Sequence, residues 1–346
     1  MKMVRPFKVT DAALTSSVPE TAPAAWAGGT VYGAGDRASI VTGPQAVVHE
    51  SLAAGNVGND PASSPDWWRE VATTWLAWDG GTTYAKDHRA LDAADHLEYV
   101  SLQDGNLNHP LSDPAWWYPL PSNRWAMFDQ VNGTVTRARD SLTVSIDLAG
   151  RVDSVSLFNL SAATVRIMVA TVEDGVIHDE TINMASDSGI TDWFAYFFEE
   201  IIRRRDLIRV NLPFYANPTV TVTLSDPGSE VSCGTMVVGA TRDLGDIQFG
   251  ARLGIRDFSK KDADDFGNYK LVPRSNSRNG RFTIWVPKAQ TDALMALMSD
   301  YVATPVVWIG AESRTVTALY GFFSEFNVEI SYPTEDICTL DIEGLT

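Results

Sequence analysis

The sequence predicts a mainly β chain. It is read as two small β modules, a jelly-roll-like β-sandwich, and a C-terminal β-rich domain with one packed helix. Three observations predict this. A pattern of about fifty residues occurs twice near the start. Short apolar runs alternate with Gly, Asn and Pro turns through the middle. A single segment, "PKAQTDALMALMSDYV", carries a clear helical period. With 346 residues the chain has material for several domains.

Residues 1–23 form an N-terminal segment with no long apolar run, which predicts no cleaved secretory signal. The repeat follows as module 1 (24–73) and module 2 (74–120). "WAGGTVY", from Trp26 to Tyr32, returns as "WDGGTTY", from Trp78 to Tyr84. Later anchors stay in step: Arg37 with Arg89, Ser51-Leu52 with Ser101-Leu102, and Gly55-Asn56 with Gly105-Asn106. Pro65, Trp67 and Trp68 match Pro114, Trp116 and Trp117. The drift in spacing between anchors is what loop-length change produces. Modules of this size without disulfides have thin cores, so large aromatics are needed to fill them.

Eight of the eleven tryptophans lie within residues 1–125, so the modules hold most of the aromatic surface. Neighbouring residues on a strand point to opposite faces. Of Trp67-Trp68 and Trp116-Trp117, one ring in each pair can serve the core while the other faces out. A flat indole beside Asn and Asp suits a sugar ring. It equally suits a protein contact, or the core itself.

The repeat resembles the small carbohydrate-binding modules of bacterial chitinases, the type 5/12 group. Trp26, Tyr32, Gly35-Asp36, Pro65, Trp68 and Val71 carry that resemblance in module 1. Module 2 has Lys86-Asp87 in place of Gly-Asp and closes on "WWYPL". The mid-strand aromatic is His49 in module 1 and Tyr99 in module 2. The resemblance implies candidate glycan-contact residues Trp26, Tyr32, Trp67, Trp68, Trp78, Tyr84, Tyr99, Trp116 and Trp117.

Residues 121–245 alternate in strand fashion, as in Leu142, Val144 and Ile146, then Val165, Ile167 and Val169. This predicts the sandwich. "DWFAYFFEEIIRRRDLIRV" fits a helix or a strand, and strand plus loop is expected. Residues 246–346 read as strands around one helix, with Pro287 before it and Leu294, Leu297, Met298 and Tyr301 on one face. A Pro-rich stretch, "YPLPSN", predicts a hinge, and with it that residues 1–118 can be removed without unfolding the rest.

The phrases "NRWAMFD", "VSCGTMVVG", "RDFSKK", "DDFGNYKLV", "TPVVWIG" and "TLDIEGLT" are similar to those of structural proteins of tailed bacteriophages. That resemblance implies a virion component of the tail tip or baseplate, made in the host cytoplasm, homo-oligomeric and in contact with other tail proteins. The modules would then meet host-surface glycan, or act as protein-docking pegs in a purely architectural part of the neck, collar or fibre base.

Chemistry is sparse. The five histidines show no metal-ligand spacing, and no nucleophile elbow, phosphate loop or dinucleotide motif occurs. Asp262, Asp264 and Asp265 half-resemble a calcium loop but read as a polar turn. No enzyme, cofactor or metal is expected. A net charge of −17 disfavours nucleic acid, and no apolar run is long enough to span a membrane. Arg203-Arg204-Arg205 is expected to be ion-paired or at an interface. Cys233 and Cys338 are expected to be buried free thiols.

Overall fold

This computed structural model describes residues 1–129, 133–185, 203–213, 215–263, 268–312 and 314–345. Strand β1 (Lys2–Pro6) puts Met3 and Val4 on opposite faces, and both are fully buried. Val4 stands opposite Thr241 on one side and Val307 on the other. Strand β2 (Leu14–Ser16) pairs with residues 144–146. The N-terminal segment is therefore woven into the body. The expected removal of residues 1–118 would take out an interior strand.

Module 1 is an antiparallel meander of β3 (Arg37–Thr42), β4 (Gln45–Ser51) and β5 (Trp68–Trp75). Module 2 has a short pair, β6 (Thr83–Tyr84) with β9 (Asn106–Leu107). Its meander is β7 (Arg89–Asp92), β8 (Leu97–Ser101) and β10 (Trp117–Pro121). The repeat holds in three dimensions. A bridge joins Tyr32 to Asn56 where β6 and β9 join Tyr84 to Asn106, and parallel bridges join Ala25 to Ser39 and Ala77 to Leu91. Neither module swings freely. Val71 and Ala72 of β5 enter the sandwich core, and Asn123, in the expected hinge, exchanges hydrogen bonds with the Arg137 backbone at 2.8 and 3.0 Å.

The body begins with β11 (Thr136–Asp147), β12 (Ser154–Ser161), β13 (Thr164–Thr171) and β14 (Gly175–Asn183). Strands β15 (Leu207–Arg209) and β16 (Thr219–Asp243) follow. The first half of β16 pairs with β13 and the second with β12, while β11 follows it through both. A bulge at Asp140 bends the pair, with Gly228 opposite at φ 84° donating its N–H to Asp140 Oδ1 at 2.7 Å. Beyond the bend β16 is buried on both faces. Cys233, Met236 and Val238 face the sandwich core, and Val237 packs with Val4, Phe158, Val307, Ile309 and Tyr320. The sandwich-like region and the C-terminal strands thus share one continuous sheet across β1.

The C-terminal region comprises β17 (Asp246–Ile247), β18 (Arg252–Asp257), β19 (Lys260–Ala263), β20 (Tyr269–Val272) and β21 (Asn276–Pro287). Helix α1 (Lys288–Asp300) leads to β22 (Val306–Ile309), β23 (Ala318–Glu329) and β24 (Glu335–Gly344). Pro287 stands immediately before α1, as expected. Leu294 and Met298 are buried on Phe282, Ile284, Trp308 and Cys338, with Leu297 and Tyr301 beside them. Both cysteines are free and buried, and burial pushes the Cys233 thiol up to about 12 and that of Cys338 up to about 11. Arg203 pairs with Asp226, and Arg204 donates to the Asn183 carbonyl. Of the segment that fitted helix or strand, Leu207–Arg209 is a strand and residues 192–202 lie outside the described residues. The acidic turn at 264–267 lies outside them too.

Candidate functional site

The recurring phrase is a closed aromatic turn. Thr30 N–H donates to the Ala27 carbonyl at 3.0 Å, and Thr82 N–H to that of Asp79 at 3.1 Å. The tyrosine hydroxyl then accepts a backbone N–H across the turn, Ala27 to Tyr32 at 3.0 Å and Asp79 to Tyr84 at 2.9 Å. The first tryptophan folds over the first glycine. A Cβ on Gly28 or Gly80 would come within 3.4 Å of the indole, and on Gly80 within 2.8 Å of Asn108 Oδ1. Two glycines leave room for this fold.

Each tyrosine ring meets a tryptophan edge-on. Tyr32 and Trp68 have centroids 4.9 Å apart, and Tyr84 and Trp117 5.0 Å. Trp68 and Trp117 are sealed, at 3% and 2% exposure. Their indole N–H groups donate to the carbonyls of Asn59 (2.9 Å) and His109 (3.0 Å), which removes the penalty of burying a donor. Beneath them, buried Asn56 and Asn106 each donate to a serine hydroxyl, Ser51 or Ser101, at 3.0 Å. Tyr32, Tyr84, Trp68 and Trp117 are therefore core residues, held by the same contacts twice.

The other tandem members, Trp67 and Trp116, are half-buried, as are Trp26, Trp78 and Tyr99. These five sequence candidates keep some surface open. Trp26 and Trp67 pack on the module 1 core, and Trp78, Tyr99 and Trp116 on that of module 2. Burial raises the Tyr99 hydroxyl above its ordinary value. His49, which stands where module 2 has Tyr99, is held below its ordinary value by burial, and its Nδ1 has no hydrogen-bond partner.

Three features were not found by sequence reasoning. His109 stacks on Trp116. Buried Glu20 gathers His96 Nδ1 at 2.9 Å and the Ser122 hydroxyl at 2.8 Å, joining the N-terminal segment to module 2 and the hinge. A cleft of about 410 Å³ lies where the modules meet the body, between Trp75, Arg89, Glu98, Asn123, Arg137 and Glu230. Its wall holds the Arg89–Glu98 ion pair at 2.9 Å, with the Arg89 guanidinium over the Trp75 ring. Burial raises the Glu98 carboxyl, against the pull of the Asn123 N–H and Arg89.

Among the described residues no cluster of three or more His, Cys, Asp or Glu could hold a metal ion. No described helix is long and apolar enough to cross a membrane. No protein-family model matches the chain, and no curated protein matches it.

Proposed function

We propose that this chain is a structural protein of a tailed-phage virion, a tail-tip or baseplate component whose two modules adhere to host-surface glycan. One observation carries the reading. In each module the tandem pair is split, with Trp68 or Trp117 sealed inside and Trp67 or Trp116 half-open, and Trp26 or Trp78 is half-open on the same small core. A half-open indole offers a flat apolar face to the C–H side of a sugar. Such a contact is weak at one site, because small ligands gain little after ordering costs. Several copies on one particle turn weak sites into avidity. The proposed partners are further copies of the chain and other tail proteins, with nucleic acid disfavoured by a net charge of −17.

The architectural reading has one observation in its favour. Val71 and Ala72 root module 1 in the sandwich core, and Thr74 hydroxyl bonds to the Glu20 carbonyl, so the modules stand as fixed pegs. The test is retention of the intact protein on host-surface polysaccharide and on chitin-like resin. Adhesion predicts retention that falls on Trp67→Ala without loss of fold. Absence of retention on every host glycan rejects adhesion and leaves the peg.

A further inference from the structure

The C-terminal sheet extends into an arm that the chain itself does not cover. All six residues of β18 are exposed. Phe249, Ile255 and Leu271 are 106%, 75% and 68% exposed, and Leu253, Phe258 and Tyr269 stand open near them. Among the described residues β18 pairs only with β21, so the N–H and C=O groups of its outer edge are open as well. Long apolar edges of this kind are normally covered.

The arm also carries the wrong charge for its chain. Residues 252–281 hold eight Lys and Arg against four Asp and Glu, while the whole chain is at −17. Arg256 lies over Phe258 at 5.4 Å and Lys261 over Tyr269 at 3.5 Å, so cations and rings form one mixed surface. The opposite end of the same sheet has the complementary chemistry. Among the described residues β14 pairs only with β13; their turn exposes Val172, Glu173 and Asp174, and Val176 at the start of β14 is exposed as well.

We propose that the arm of one copy docks on the β13–β14 end of the next, a head-to-tail contact between copies of this chain. The inference rests on the proposed function only in taking the chain to self-assemble. A second copy fits better than nucleic acid for two reasons. The open leucine and isoleucine side chains need an apolar counter-surface, and the acidic remainder of the chain repels phosphate. Because two different surfaces meet, the contact either closes a ring or grows a filament.

Sedimentation velocity of the full chain, over a range of concentration and salt, tests this. Wild type is expected to associate with rising concentration and to weaken at high salt. Ile255→Asp with Leu271→Asp should weaken association about tenfold or more, as loss of central apolar contacts does. Melting temperature should stay unchanged, because both side chains are open. Arg256→Glu with Lys261→Glu should also weaken association, and mixing in a Glu173→Arg, Asp174→Arg partner should restore it. Undiminished assembly of the Ile255→Asp, Leu271→Asp variant would overturn the arm as the contact while leaving self-assembly standing. Lack of rescue in the charge exchange would overturn the β13–β14 end as its receptor. A wild type that stays monomeric at every concentration would overturn both the contact and the self-assembly it rests on, and arm-dependent binding of duplex DNA by such a monomer would assign the arm to nucleic acid instead.

Discussion

His109 lies flat on Trp116, with ring centroids 3.8 Å apart and planes 12° from parallel. Module 1 has Asn59 at the same place, since its carbonyl takes the Trp68 indole N–H as that of His109 takes the Trp117 N–H. One face of Trp116 is thus covered from within, while no described ring stacks on Trp67. Under the adhesive reading the two modules are unequal. Trp67→Ala should lower glycan retention more than Trp116→Ala, and His109→Ala should increase retention by uncovering module 2. Affinity electrophoresis in host polysaccharide would compare the three variants, and equal losses for the two tryptophans would reject the asymmetry.

The sealed indoles should behave differently. Trp68→Ala or Trp117→Ala should destabilise its module by about 3–5 kcal/mol, because each removes a sealed indole and leaves a cavity. Trp67→Ala should cost markedly less. Urea denaturation followed by tryptophan fluorescence would separate the two classes.

Met3 is buried among Phe282, Trp308 and Leu340, far from it in sequence. Met3→Ala should destabilise the body by about 2–5 kcal/mol. Deleting residues 1–118 should do more, since it frees the β16 and β22 edges as well as emptying a core position. The expected products are soluble aggregates or insoluble protein, read by light scattering. A cooperative melt of the truncated body at the full-length temperature would contradict this.

Burial holds His49 below its ordinary value of 6.5. The unfolded chain then takes up a proton at this residue before the folded one does. Its contribution to stability is full above pH 6.5 and is lost as pH falls from there through the folded-state value. Thermal melts should show module 1 weakening over that interval, and His49→Phe should flatten the dependence. An identical slope in the variant would place the titration elsewhere.

What was legible in the sequence was local. The aromatic turn declares itself because a tryptophan folded on a glycine and a tyrosine latched to the backbone need those residues at fixed spacing. The split of Trp67 from Trp68 is expected from strand alternation, but it arises otherwise: Trp68 and Trp117 open strands, while Trp67 and Trp116 lie in the turns just before them, with their N–H groups bonded to the carbonyls of Ser64 and Asp113. The α1 face was legible through the spacing of Leu294 and Met298. What was illegible was distant. Nothing near Glu20 announces His96 or Ser122, and nothing in "KMVRP" announces that it lies between β16 and β22. The stretch "YPLPSN" misled because its prolines suggest a joint, whereas Ser122 and Asn123 bind Glu20 and Arg137 and lock it.

The position of Val4, between Thr241 and Val307, bears on the order of events in folding. A ribosome releases the strand early and its neighbours late. The modules, whose strand pairings are local, can form while synthesis continues, but β1 must wait unpaired. The loop-closing steps that seat it are long and entropically slow, so completion of the body should limit the overall rate. During that interval Met3 and Val4 are open to other chains, and the nascent protein is most vulnerable to misassociation before its last strands emerge.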